Sequence, residues 1–238
     1  MIKGIKKDTP IRERFEIVTR YMIRRAIKFS GKTGRAIRIS KTSGGEGVSV
    51  FTLDGRTEEG RRNLEEFLRV RKRHYTFSGL GKPEEKNSIN WRVLAAPWPK
   101  RVINFLGVGL SLLYKGVPSK NVLYRKLGFR IGRNTEIMQF VWLDHFMPEL
   151  IEIGDNCLIG AYSTIATHAY EGHGRFRFGP VRIGNNCTLA AGTGMLMIEV
   201  EDNVRTLPGT ALSPYFLKVK KNSVVGYQKP PVVVDEQQ

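Results

Sequence analysis

Thiols and imidazoles are scarce in this 238-residue chain, which has only two cysteines, Cys157 and Cys187, and four histidines, His74, His145, His168 and His173. So few thiols exclude a disulfide-stapled scaffold and fit a reducing compartment. Long apolar runs are also missing. The longest, Val102 to Tyr114, stops at 13 residues, short of the ~20 that a bilayer span needs. Met1 to Lys7 is basic but no apolar core follows it, so a secretory signal is not expected and the expected location is cytoplasmic. No phosphate loop or dinucleotide fingerprint is present. Negative charge is in short supply too: 22 Asp and Glu stand against 39 Lys and Arg, a net charge of +17. The imbalance is lopsided. Residues 1–100 carry 24 basic against 11 acidic side chains, and residues 101–238 carry 15 against 11. A basic extension therefore precedes a nearly balanced body, and its field attracts phosphates, anionic headgroups or acidic glycans without choosing among them. With 41% hydrophobic residues the chain can still bury a real core, which excludes a disordered polyelectrolyte.

The body is repetitive. Five segments share the pattern aliphatic-x-x-Asn, beginning at Ile131, Ile153, Ile183, Val200 and Val219. Within them an aliphatic recurs every six residues: Ile131, Ile137, Leu143; Ile153, Ile159, Ile165; Ile183, Leu189, Met195; Val219, Val225. Thr206 is the exception, between Val200 and Leu212. Four residues after most of these aliphatics stands a small side chain, such as Thr135, Cys157, Ser163, Cys187, Thr193 or Thr210. A six-residue beat is neither a helical period nor a simple strand alternation. It suits a coil of three short strands, with the large residue filling a triangular interior and Gly or Asn easing the corners. Three hexads make 18 residues, whereas the observed steps are 22, 30, 17 and 19. Two coils must therefore extrude loops, the longer being about twelve residues, Ala169 to Pro180. Both cysteines fall at equivalent small-residue positions and read as core filler.

These residues, with Asn121 to Gly128, Pro148 to Asn156 and Val219 to Gly226, resemble the hexapeptide-repeat acyltransferase family over roughly residues 119–231. The branch most similar comprises the maltose, galactoside and surface-sugar O-acetyltransferases. The resemblance implies a mainly β fold: a left-handed parallel β-helix of about five coils, occupying 119–238, behind a basic, largely helical α/β extension at 1–118. It also implies an acetyl-CoA-dependent O- or N-acyltransferase, a homotrimer acting on a sugar or amine acceptor, with no metal required. His168, in Ile165-Ala-Thr-His168, matches the family's general base, a role that imidazole's near-neutral titration suits. Asp144 matches an acceptor-contacting aspartate; it could equally orient the imidazole or cap a turn. Tyr170 and His173, in the long loop, are expected to wall the acceptor site. Ala190, Gly192, Thr210 and Lys229 are expected along the CoA path, the small residues offering backbone amides.

Other readings stand beside this one. His168-x4-His173 is similar to the histidine pair of gamma-class carbonic anhydrases, with His145 as the third ligand such a metal would need. His145 otherwise reads as an exposed neighbour of Asp144. The β-helix could also be a non-catalytic trimeric scaffold with the extension doing the work. In that extension, residues 10–29 place Ile11, Phe15, Val18, Met22, Ala26 and Phe29 on one helical face. A strand-like passage spans 35–53, a helix Thr57 to Lys72, and a short apolar helix Pro97 to Tyr114. The extension is expected either to shield the open end of the β-helix or to rest on anionic lipid. Nucleic acid is the weakest partner, since no known binding module is visible.

Overall fold

The computed structural model describes residues 2, 4–41, 49–53, 57–69, 74–81, 90, 93–94, 96–113, 117–171, 173–213 and 218–226. The six-residue beat becomes three parallel sheets wrapped around one interior. The first contains β4 (Arg130–Ile131), β7 (Ile151–Ile153), β12 (Val181–Ile183) and β15 (Glu199–Val200). The second stacks β5 (Glu136–Ile137), β8 (Leu158–Ile159), β13 (Thr188–Leu189), β16 (Arg205–Thr206) and β18 (Val224–Val225). The third holds β6 (Trp142–Leu143), β9 (Thr164–Ala166), β14 (Gly194–Leu196) and β17 (Ala211–Leu212). Register follows the repeat: Ile131 lies beside Ile153, Ile153 beside Ile183, and Ile183 beside Val200.

Every full-strength hexad aliphatic from Ile131 to Leu212 is buried, and the small partners Thr135, Cys157, Ser163, Cys187, Thr193 and Thr210 lie inside with them. Thr206 is tolerated because its hydroxyl accepts the Ala190 N–H at 2.9 Å and meets the Thr193 hydroxyl at 2.8 Å. The asparagines sit at one corner in the left-handed region (φ 51–60° at Asn134, Asn156, Asn186, Asn203 and Asn222). Asparagine tolerates that conformation better than most residues. Their side chains also bond between coils, Asn134 to Asn156, Asn156 to Asn186 and Asn203 to Asn222, at 3.0–3.3 Å.

The extension contains α1 (Ile11–Thr33), α2 (Glu58–Arg69), α3 (Trp98–Leu113) and α4 (Val117–Leu127), with strands β1 (Arg38–Lys41), β2 (Ser49–Thr52) and β3 (Tyr75–Ser78). The expected helical face of α1 is buried at Ile11, Phe15, Val18, Met22 and Ala26, and Gly34 ends the helix at φ 70°. Thr57 caps α2, its hydroxyl accepting the Gly60 N–H at 3.0 Å. Two elements were not anticipated, α4 and β3.

The helix α4 lies over the first coil and hydrogen-bonds its open edge. Asn121 donates to the Thr135 carbonyl (2.6 Å), Lys120 to Met138 (2.8 Å), and Arg125 to Ile131 (2.8 Å) and Gly132 (2.7 Å). Side-chain donors thus replace the missing coil, and they come from residues 120–125, just beyond the 1–118 segment from which edge shielding was expected. From the other side, buried Arg14 of α1 clamps the end of α4, donating to the carbonyls of Gly128, Thr9 and Lys7 at 2.8–3.0 Å.

The longer extrusion is a hairpin, β10 (His168–Tyr170) and β11 (Phe176–Phe178), and β11 pairs with β3. The result is one antiparallel five-stranded sheet in the order β10-β11-β3-β1-β2, built from both parts of the chain. Phe176 and Phe178 are fully buried, packed with Phe15, Tyr75 and Phe77 of the same chain.

Candidate active site

The two extrusions leave the β-helix at one corner, and there the side chains of Asp144 and His168 meet. Asp144 follows β6 and His168 follows β9, strands paired with Leu143 beside Ile165. Two residues distant in sequence therefore become neighbours because one coil separates them.

The Asp144 carboxylate is 3% exposed and fully engaged. Oδ1 accepts the Phe146 N–H at 2.8 Å, the turn-capping bond that a local reading of Asp predicts. Oδ2 accepts the Thr167 N–H at 2.9 Å, the Thr167 hydroxyl at 2.5 Å and His168 Nδ1 at 2.6 Å. Burial pushes this acid up, but the charge and hydrogen bond of His168, together with both bonds from Thr167, outweigh it and hold Asp144 at about 2. An ionised carboxylate has no proton to give, so the proton of the 2.6 Å bond belongs to Nδ1. The lone pair of the neutral ring is then at Nε2.

The imidazole is boxed by aromatics. Phe176 stacks on it (centroids 5.4 Å, 24°), Phe146 is tilted at 4.9 Å, and Tyr170 meets it edge-on at 5.3 Å. Tyr170 is exposed on one side, and its phenol is pushed up to about 12 by partial desolvation and by Asp144, so it stays a donor at neutral pH. Phe146, the Thr167 bonds and the stacking of Phe176 on the imidazole escaped the sequence reading. Only Thr167, beside the histidine, carried any local signal, because the others reach the ring through tertiary folding.

The remaining candidates fall elsewhere. His173 sits at the tip of the hairpin (φ 46°), whereas His168 faces Phe178 at its base, so the two histidines occupy opposite ends. His145 is not an exposed neighbour. It is partly buried between Trp142 (5.3 Å) and Phe105 (5.4 Å), and burial pushes its pKa down. Among the described residues no three His, Cys, Asp or Glu side chains are grouped as a metal would require.

Ala190, Gly192 and Thr210 lie on neighbouring coils at the corner between the second and third sheets. Their amides are donated internally, to the Thr206 hydroxyl and to the carbonyls of Ala161 and Leu207. What this corner offers a ligand is backbone left open at its glycines, beside the exposed Leu207 side chain. Gly192 and Gly209 take φ of 71° and 72°, and a Cβ at Gly194 or Gly209 would meet nothing within 4 Å. Lys229 lies outside the described residues. Cys157 and Cys187 are buried, each thiol donating to a carbonyl of the next coil at 3.1 Å, as core positions would.

Known proteins carry the same pattern. A family model described as "Hexapeptide repeat of succinyl-transferase" matches residues 151–172 and 178–205, skipping the outer part of the hairpin. "Putative acetyltransferase YvoF" of Bacillus subtilis (strain 168) is 33% identical over 127 residues, covering 52% of this chain and 73% of that protein. "Putative acetyltransferase SAR0816" of Staphylococcus aureus (strain MRSA252) is 41% identical over 91 residues, covering 37% of this chain and 56% of the relative. A solved maltose O-acetyltransferase from Clostridium difficile 630 aligns over 53% of this chain and 80% of its own, at 17% identity and a TM-score of 0.37. The three-sheet β-helix, its hexad interior and the YvoF match together identify this chain as a member of the hexapeptide-repeat acetyltransferase family.

Proposed function

We propose that this chain transfers an acetyl group from acetyl-CoA to a hydroxyl or amine, with His168 as general base. The observation that carries this reading is the 2.6 Å bond from His168 Nδ1 to buried, ionised Asp144. It holds the ring in one tautomer and directs the Nε2 lone pair away from the carboxylate. Nε2 accepts the acceptor's proton as its oxygen or nitrogen attacks the thioester carbonyl. When the tetrahedral intermediate collapses, the C–S bond breaks and the imidazolium returns that proton to the departing CoA thiolate. No enzyme-bound acyl group is needed. Asp144 acts as the orienting partner in this scheme, since all its short contacts point inward to Phe146, Thr167 and His168. Exposed Tyr170, at the edge of the imidazole, is the acceptor contact; His173 at the hairpin tip has that role only if the acceptor is extended.

The donor lies along the corner around Ala190, Gly192 and Thr210, approached closely at Gly194 and Gly209, where no side chain projects. In this reading the β-helix is left-handed, of about five coils, and assembles as a trimer with its sites between subunits. A sugar is the acceptor. Calorimetric titration of acetyl-CoA into the wild type and into His168→Ala, followed by thiol release with sugars and amines, tests the proposal. Both proteins should bind acetyl-CoA, and turnover should drop by about 10²–10⁴-fold in the variant. Failure of the wild type to bind acetyl-CoA would overturn it in favour of a trimeric scaffold.

A further inference from the structure

The helix α3 is inside out. Its buried side consists of Asn104, Gly107, Val108 and Ser111, which are small or polar apart from Val108. Asn104 donates to the His145 carbonyl at 3.0 Å, and a Cβ at Gly107 would stand 2.7 Å from Leu127, so this side is pressed tightly onto α4 and the β-helix. The outer side carries Trp98, Val102, Ile103, Phe105, Leu106 and Leu110, exposed from 44% at Val102 to 68% at Trp98. At 100° per residue these six, with Pro99 and Gly109, form an unbroken arc of nearly half the helix circumference without one charged or hydrogen-bonding residue except the Trp98 indole. Water does not favour such a face, and large apolar patches on a folded surface mark an interaction site.

The charges around the helix indicate what covers it. The helices α3 and α4 carry five Lys or Arg (Lys100, Arg101, Lys120, Arg125 and Lys126) and no Asp or Glu. Lys100 is paired with Glu149. Lys120 is buried and bonds a backbone carbonyl, so the α4 cations that remain at the surface are partly buried Arg125 and exposed Lys126. A second copy docked face to face would bring two such cationic segments together, whereas an anionic bilayer complements both the apolar arc and the cations around it. The helix has 16 residues, and no described helix is long and apolar enough to cross a membrane, so it must lie in the plane of the interface. Trp98 stands at one end, where an indole favours the headgroup level.

We propose that the outer face of α3 docks on anionic phospholipid, immersing Trp98, Val102, Ile103, Phe105, Leu106 and Leu110 at the headgroup boundary. Such docking does not depend on acyl transfer. It also has a consequence for the site, because Phe105 on this face packs against His145, next in sequence to Asp144. Docking therefore brings the candidate active site close to the lipid surface.

Flotation of the full chain with vesicles of phosphatidylcholine alone, or with 30 mol% phosphatidylglycerol, tests this. Binding should be at least tenfold tighter to the anionic vesicles. The double variant Leu106→Glu/Leu110→Glu should lose at least tenfold of it, whereas Val224→Glu, an equally exposed apolar position on the β-helix, should not. Sedimentation velocity of each variant reads assembly in the same samples. A second readout needs no charge insertion: brominated lipid should quench wild-type tryptophan fluorescence, and Trp98→Phe should remove most of that quenching. Equal binding to both vesicle types, no binding at all, or an α3 variant that binds like wild type overturns the proposal. A changed oligomeric mass in the α3 variant also overturns it, and assigns the face to a subunit contact instead.

Discussion

The β-helix and the N-terminal extension solve the problem of burying a core in opposite ways. In the β-helix each strand pairs with the equivalent strand of the next coil, 17 to 30 residues away, and most hexads repeat one rule: a large aliphatic, then a small residue four positions on. In the extension, β3 pairs with a hairpin that belongs to the other half of the chain, placing Phe77 opposite Phe176. The first region is a local code that tolerates insertions at its corners. The second exists only because those insertions meet it. Extrusions that would be surface loops on a plain β-helix here supply an edge strand, an inner strand and side chains of a shared core, and the candidate catalytic imidazole lies where the two regions join.

If that coupling is real, cutting it from the extension side should be felt at the site. Phe77 is fully buried and stacks on Phe178 (5.7 Å, 11°), which leads through Phe176 to the imidazole. Phe77→Ala should cost about 3–5 kcal/mol in chemical denaturation. It should also lower kcat at temperatures where the fold is intact; unchanged kcat would separate the two regions. A smaller effect is expected from Asp144→Asn. The folded-state pKa of Asp144 is depressed from 3.8 to about 2, so its contribution is complete above about pH 4 and disappears as the pH falls towards 2. That amounts to about 2 kcal/mol. Stability of wild type minus variant, followed by urea denaturation from pH 7 down to pH 2, should shrink over this window. The same substitution should reduce turnover more than acceptor KM if the role is orientation, and raise KM if it is acceptor contact.

Gly174 tests the contact between the hairpin tip and the extension. It takes φ 66°, and a Cβ there would lie 2.3 Å from the Gly81 amide. Gly174→Ala should cost roughly 1–2 kcal/mol from the left-handed conformation alone, and more if Gly81 cannot yield. The mildest change belongs to the β-helix. Thr206→Val restores the hexad's aliphatic but leaves the Ala190 N–H without its acceptor, so it should destabilise by about 1 kcal/mol rather than stabilise. A stabilising result would mean that the repeat's apolar rule outweighs the hydrogen bond even at its exception.

Much of the β-helix was legible because its periodicity is short and self-confirming. Ile131, Ile153 and Ile183 each predict the inward positions six and twelve residues later, and all are buried. His168 stood out as a histidine at the end of a hexad, before an extrusion. Asp144 was harder. The sequence allowed a turn cap, an imidazole partner or an acceptor contact, and the folded carboxylate does the first two at once through different oxygens. The location of His145, the separation of His168 from His173 and the pairing of β3 with β11 gave no local signal. Each depends on which face of a strand meets which distant segment.

From the chain alone came the coil period, the corners where loops leave, the small and large interior residues, and the excess of positive charge. These follow from side-chain volume and backbone preference within a few residues. Only the tertiary structure decided that the long extrusion joins the N-terminal sheet, that α4 closes the first coil, that Asp144 holds the His168 ring, and that α3 presents its apolar side to the outside. Strand pairing, edge capping and burial join segments far apart in sequence, and their energy depends on the partner's position rather than on any local pattern.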